Sequence, residues 1–209
     1  MSRASSPEAN EASVYVVDDD PGVLNAVQFL LRSVGVPSEG FSSAAEFLSH
    51  HEPEDPGCLV LDLRMPGMSG RELQQRLREM GSDIPIIFVT AHGDVPTAVD
   101  AVKAGAIDFI QKPFEDRKLL DKIQEALALD ARNREKRRER EEIWERIEEL
   151  TPREREVMAS VVEGKMNKTI ARNLGISQRT VEIHRARVME KMRAGSVQEL
   201  VQMIVSLEE

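Results

Sequence analysis

Val14-Tyr15-Val16-Val17-Asp18-Asp19-Asp20-Pro21-Gly22 sets the pattern for the first half of the chain. Three β-branched residues and an aromatic one suit a buried strand. The run stops at three carboxylates, and Pro21-Gly22 turns the chain. Val23, Ala26, Val27, Leu30, Leu31 and Val34 follow at helical spacing, and Gly35 ends that helix. The alternation then repeats. Val36 to Phe41 reads as a weaker strand, and Ser42 or Ser43 caps a helix through Phe47 and Leu48. Cys58-Leu59-Val60-Leu61 is a third strand and ends at Asp62; a turn with Pro66, Gly67 and Gly70 leads to a helix with Leu73 and Leu77. Pro85 to Val89 is a fourth strand and ends at Thr90; Val95, Ala98, Val99 and Val102 mark the next helix, which stops at Gly105. Ile107 to Ile110 is a fifth strand, followed by Lys112-Pro113-Phe114 and a long helical segment.

Five such units predict an α/β fold, a five-stranded parallel sheet doubly wound with helices on both faces. Ligands of open α/β sheets bind beyond the carboxyl ends of the strands. Asp18, Asp19, Asp62, Thr90 and Lys112 all fall there, because each follows or ends an apolar run.

The domain plan is a short flexible leader at 1–13, an α/β domain at 14–127, a helical linker at 128–150 and a small all-α domain at 151–209. The leader is polar, with no apolar core of a signal peptide, and no run approaches the ~20 apolar residues of a membrane span. Cys58 is the single cysteine, which excludes an intrachain disulfide and points to the cytoplasm. It reads as the start of a buried strand rather than as a reactive thiol. Residues 128–142 are almost wholly charged, and Ile143, Ile147 and Leu150 then restore an apolar stripe. The run is a solvated helix or flexible linker, or else a weak coiled-coil signalling helix. Unbroken from Phe114 to Leu150, it would span roughly 55 Å.

Net charge is −9, which taken alone argues against nucleic acid. The distribution reverses that reading, because Lys165 to Arg193 holds eight basic and two acidic residues. Thr151-Pro152 caps and starts a helix carrying Val157, Met158, Val161 and Val162. Asn167 is expected to cap the next, Ser177 the one from about Gln178 to Met192, and Ser196 begins the last. Ala171, Gly175 and Val181 stand at helix-turn-helix spacing. Val181, Val188 and Met192 then face inward, while Arg179, Ile183, Ala186 and Glu190 face out, with Glu182 and Arg193 on that side. Arg187 and Lys191 flank this face, suited to phosphates, and Lys165, Lys168 and Arg172 add charge. His184 is a packing or phosphate-facing residue rather than a metal ligand.

Three converging carboxylates repel unless protonated or bound to a cation, and hard oxygen ligands suit Mg2+. No GxxxxGK[ST] loop and no base beside a Ser or Cys nucleophile occurs. A carboxylate can itself attack a phosphoryl group, with Mg2+ and Lys112 neutralising its oxygens and Thr90 hydrogen-bonding the product. Lys112 is equally readable as an ordinary ion pair to a pocket Asp.

Val17 to Asp20, Leu61 to Gly70, Val89-Thr90-Ala91 and Lys112-Pro113-Phe114 together resemble the receiver domain of response regulators, in order and spacing through 14–127. The resemblance implies that Asp62 is the phosphoacceptor. It makes Asp18, Asp19, Asp62 and the carbonyl of Arg64 the ligands of Mg2+, or of Mn2+ in its place. Thr90, Phe109 and Lys112 become the switch residues, with Lys112–Pro113 cis. Phe109 stands where relatives often have Tyr, so no hydroxyl is available there.

Leu150 to Met158, Asn167-Lys168-Thr169-Ile170-Ala171 and Thr180-Val181-Glu182-Ile183-His184-Arg185 resemble the LuxR/NarL-type output domain. With His92 to Pro96 and Lys103-Ala104-Gly105-Ala106, the whole chain resembles the FixJ/StyR branch of response regulators. This implies a four-helix module whose third helix enters the major groove and whose fourth helps dimerisation. Glu182, Ile183 and Ala186 would lie near base edges; Lys168, Arg179, Thr180, Arg185, Arg187 and Lys191 complete the DNA-binding set.

The expected protein is a transcriptional regulator, phosphorylated by a sensor histidine kinase, that dimerises, binds promoter DNA and works with RNA polymerase. It would be no enzyme beyond Mg-dependent self-phosphorylation from a phosphodonor and slow self-dephosphorylation. The alternatives are a phosphorylation-independent DNA-binding regulator with a vestigial receiver, which the intact set Asp19, Asp62, Thr90 and Lys112 argues against, and a metal-dependent phosphohydrolase. For the latter no second catalytic acid stands beside Asp62.

Overall fold

The computed structural model describes residues 12–91 and 105–207. The leader up to residue 11, the helix expected around Val95 to Val102 and the motifs at His92 to Pro96 and Lys103-Ala104 lie outside the described residues. The chain divides into two compact units between Asn133 and Arg134.

The first unit alternates β1 (Ser13–Val17), α1 (Pro21–Ser33), β2 (Ser38–Phe41), α2 (Ala44–Leu48), β3 (Gly57–Leu61), α3 (Gly70–Glu79), β4 (Ile86–Thr90) and β5 (Asp108–Gln111). The long α4 (Asp116–Glu148) follows. All strand pairs are parallel, in the order β2-β1-β3-β4-β5. Strand pleating sends alternate residues to opposite faces. Tyr15, Val17, Leu59, Leu61, Ile86 and Phe88 pack with Phe47 of α2 and with Leu73 and Leu77 of α3. Val14, Val16, Cys58, Val60, Ile87 and Val89 pack with Val27 and Leu31 of α1 and with Leu119, Ile123 and Ala126 of α4. The doubly wound α/β expectation therefore holds, and the apolar runs are continuous because both faces are covered.

The register aligns the strand ends. Val17 lies opposite Leu61, Leu61 opposite Phe88, and Thr90 opposite Gln111. Asp18, Asp62 and Lys112 each stand one residue beyond a strand, and Thr90 is the last residue of one. Gly70 lets α3 approach this edge, since a Cβ there would lie 2.3 Å from the carbonyl oxygen of Asp62.

The segment 128–150 is divided between the units. Asp130 is buried, and its Oδ2 accepts the N–H of Gly57 at 3.0 Å, so this part of α4 packs on the first unit. Ile143, Ile147 and Leu150 join the core of the second. That core is completed by α5 (Pro152–Val162), α6 (Asn167–Leu174), α7 (Gln178–Lys191) and α8 (Val197–Val205). Val157, Val161, Ile170, Val181, Val188, Met192 and Leu200 are its buried centre. Thr151 and Glu154 form a full capping box at the start of α5, while Ser177 and Ser196 cap α7 and α8. One cap differs from expectation. α6 is preceded by Met166, which makes no side-chain cap bond, and Asn167 is already inside the helix. The Asn167 amide oxygen is instead taken by Arg185.

Candidate functional site

Asp18, Asp19, Asp20, Val23, Asp62, Arg64, Thr90, Ala91 and Lys112 line a depression of about 210 Å³ at the carboxyl edge of the sheet. Backbone bonds fix its walls. The Asp62 N–H donates to the Val17 carbonyl at 2.8 Å, and the Lys112 N–H donates to the Thr90 carbonyl at 2.8 Å. Asp18 and Asp62 are 3% and 6% exposed, which is costly for carboxylates without a cation. Lys112 provides one: its Nζ lies 2.5 Å from Asp18 Oδ2 and 3.1 Å from Asp62 Oδ1. The other Asp62 oxygen accepts the Arg64 N–H at 2.7 Å, and Asp18 Oδ1 accepts the Asp20 N–H at 3.0 Å. Burial pushes the Asp18 carboxyl up, an effect that the bonds from Lys112 and Asp20 only partly offset. Burial works against the Lys112 charge, but its two carboxylate partners outweigh that and hold it above the ordinary lysine value. The Lys112–Pro113 peptide is cis, as the resemblance to receiver domains implied.

The remaining residues of this edge divide clearly. Asp19 is exposed at the rim. Asp20 caps α1 through the Gly22 N–H at 2.8 Å; Asp20-Pro21 was a legible cap signal that the carboxylate count obscured. Thr90 is 1% exposed, and Phe109 is half-buried against the core on the Leu61 face. Cys58 is buried, and its thiol is pushed up to about 12 by burial and then by Asp130, so it is inert at neutral pH. Among the described residues no three acidic, histidine or cysteine side chains form a preassembled metal cluster. The donors that line the depression are nonetheless hard oxygens beside open solvent, chemistry that fits Mg2+ with water completing its shell.

In the second unit, α6, a left-handed turn at Gly175 and α7 form the helix-turn-helix. Val181, Val188 and Met192 are buried, while Arg179, Glu182, Ile183, Ala186, Arg187 and Glu190 are exposed, as the helical phase requires. Ile183 is 48% exposed on this face. Lys168 is exposed, His184 is half-buried, and the Thr180 hydroxyl is 2.8 Å from that of Ser177.

Two residues of the expected DNA-binding set make bonds inside the domain. Arg185 donates to Asn167 Oδ1 at 3.0 Å. Lys191 pairs with Glu154 Oε2 at 2.7 Å and donates to the Glu149 carbonyl at 3.0 Å. The Lys191 bond, followed by the Thr151 N–H, holds the Glu154 carboxyl at about 2. The buried glutamate was concealed in the run Arg153-Glu154-Arg155-Glu156, where every side chain has the look of surface.

Comparison with known proteins agrees with both halves. Residues 14–124 match the response regulator receiver domain, and residues 148–204 match the luxR family of bacterial regulatory proteins. The response regulator protein TodT of Pseudomonas putida is 45% identical, covering 94% of this chain and 86% of that protein. The transcriptional regulatory protein FixJ of Azorhizobium caulinodans is 47% identical, covering 91% of this chain and 90% of that one. The solved structure of the response regulator StyR is 47% identical with a TM-score of 0.82, covering 93% of this chain and 98% of that one. A receiver followed by a luxR-type domain is thus the plan of the whole chain, and this chain belongs to the response regulators with a receiver and a LuxR-type DNA-binding domain, the FixJ-like regulators that control transcription under phosphorylation.

Proposed function

We propose that Asp62 is the phosphoacceptor of the switch. The supporting observation is its carboxylate, nearly buried yet lining an open depression, with one oxygen on Lys112 and the other on a backbone N–H. An Asp62 oxygen attacks the phosphorus of a phosphohistidine on the sensor kinase, or of a small acyl phosphate. A new O–P bond forms, the bond to the leaving group breaks, and its electron pair departs with the histidine or carboxylate. The Lys112 ammonium neutralises the added oxygens and the Thr90 hydroxyl donates to one of them. Asp18, Asp19, Asp62 and the Arg64 carbonyl would hold a divalent cation, Mg2+ or Mn2+, which would supply further neutralising charge. The same pocket supports slow self-dephosphorylation.

Rearrangement around Thr90, Lys112 and Phe109 then favours a dimer. Two tethered α7 helices meet adjacent half-sites of promoter DNA at high effective concentration. Ile183, Ala186 and Glu182 face base edges, and Glu182 accepts from a cytosine amino group. Arg179, Thr180, Arg187 and Lys168 hold phosphates, and RNA polymerase is the downstream partner in the cytoplasm. No described helix is long and apolar enough to cross a membrane.

Intact mass after incubation with acetyl phosphate and Mg2+ tests the acceptor. The wild type is expected to gain the mass of one phosphoryl group and Asp62→Asn none. A stoichiometric adduct on Asp62→Asn would remove Asp62 from this role.

A further inference from the structure

The basic residues of α7 divide by what they touch. This inference rests on the DNA-binding reading above and concerns which of them meet DNA. Arg179 and Arg187 are exposed on the helix. Lys191, in its last turn, reaches back to Glu154, which is 1% exposed. The same Glu154 oxygen accepts the Thr151 N–H at 2.9 Å and so closes the capping box of α5. One carboxylate therefore caps α5 and holds the end of α7. Arg146 of α4 reaches the Met192 carbonyl at the same end, at 3.5 Å. In the middle of α7, Arg185 ties the helix to Asn167, the first residue of α6.

Moving Lys191 to a DNA phosphate would take from the Glu154 carboxylate the cation that pairs with it at 2.7 Å and covers it. A phosphate in a solvated groove offers a weaker exchange. Base readout, by contrast, needs a recognition helix held within about 0.5 Å and 10–20° of its productive pose. We propose that Lys191 and Arg185 are positioning residues that touch no DNA: through Glu154 and Asn167 they fix the angle at which α7 presents Glu182, Ile183 and Ala186.

The two roles have different signatures. A phosphate contact adds about 0.9 to the slope of log affinity against log salt and strengthens all sequences alike. A positioning residue adds nothing to the slope, and its loss blurs discrimination between sequences.

The probes are a duplex selected from a random library by the full-length wild type, with acetyl phosphate and Mg2+, and a scrambled duplex of equal composition. Fluorescence anisotropy is measured across salt for wild type, Lys191→Met, Arg185→Met, Glu154→Gln, Lys191→Met with Glu154→Gln, and Arg187→Ala. Circular dichroism sets a temperature at which every variant compared is folded. Arg187→Ala is expected to lower the slope by about 0.9 and weaken both duplexes equally. Lys191→Met and Arg185→Met keep the slope and narrow the preference for the selected duplex about tenfold, the value of one misplaced base contact. Glu154→Gln retains an oxygen for the α5 cap and does not face the groove; it narrows the preference as Lys191→Met does, and the double variant is no worse than either.

A lowered slope in Lys191→Met or Arg185→Met, or an unchanged preference in Glu154→Gln, would overturn the proposal. Unchanged slope and preference throughout would leave these ties a merely structural role and overturn it equally. A wild type with no preference for any duplex would instead overturn the DNA-binding reading itself.

Discussion

Lys112→Ala is expected to lose about 2 kcal/mol of stability in divalent-free buffer and to regain much of it when Mg2+ is added. Two carboxylates, Asp18 and Asp62, are held at one sheet edge with the Lys112 ammonium between them. Breaking a buried pair by removing one partner typically costs 3–5 kcal/mol; the lower figure of about 2 reflects a depression open to water. Without Lys112 the Asp18 carboxyl, already pushed up by burial, rises further. A divalent cation can take over the neutralising role, so the variant becomes more dependent on Mg2+ than the wild type. Urea denaturation followed by circular dichroism, with chelator and with Mg2+, gives the readout. Equal stability of variant and wild type in both buffers would contradict the ion-pair account of this edge.

Gly57→Ala is expected to cost at least about 3 kcal/mol, by strain rather than lost contacts. Gly57 has φ +146°, and a Cβ there would lie 1.9 Å from the Ser13 carbonyl oxygen. Ser13 and Gly57 are register partners at the start of the β1–β3 ladder, so the clash falls on backbone that no rotamer change can move. The Gly57 N–H also anchors Asp130 of α4, and separation of the strands would loosen that bond as well. A drop in the thermal midpoint of the first unit checks this. An unchanged midpoint would mean that the β1–β3 start tolerates rearrangement.

The sheet was legible because its physics is local. Val14 to Val17, Cys58 to Leu61 and Ile86 to Val89 are apolar runs that must be covered on both faces, and the chemistry-bearing residues follow them directly. β2 was harder to place, since Ser38-Glu39-Gly40-Phe41 forms a strand through its ladder with β1 rather than through apolarity. Asp130 could not be singled out, because one buried acid in a charged run looks like its solvated neighbours until the Gly57 N–H is found beside it. The partner of Lys191 was hidden for a related reason: helical phase places a cation on a flank but does not say that a glutamate of another helix pairs with it. Asn167 has a capping side chain at a capping position, yet Arg185 claims its oxygen and α6 begins one residue early. In each case the missing information was a long-range polar partner, which periodicity does not encode.

In the function proposed above, a phosphoryl group on Asp62 strengthens the grip of α7 on DNA. The most direct measurement titrates the selected duplex, at fixed salt, with samples whose phosphoryl occupancy is read by intact mass and whose dimer fraction is read by sedimentation. Wild-type affinity and dimer fraction are predicted to rise together with occupancy, while Asp62→Asn stays at the unphosphorylated value throughout. An affinity that is independent of occupancy, or one that rises equally in Asp62→Asn, would contradict the account.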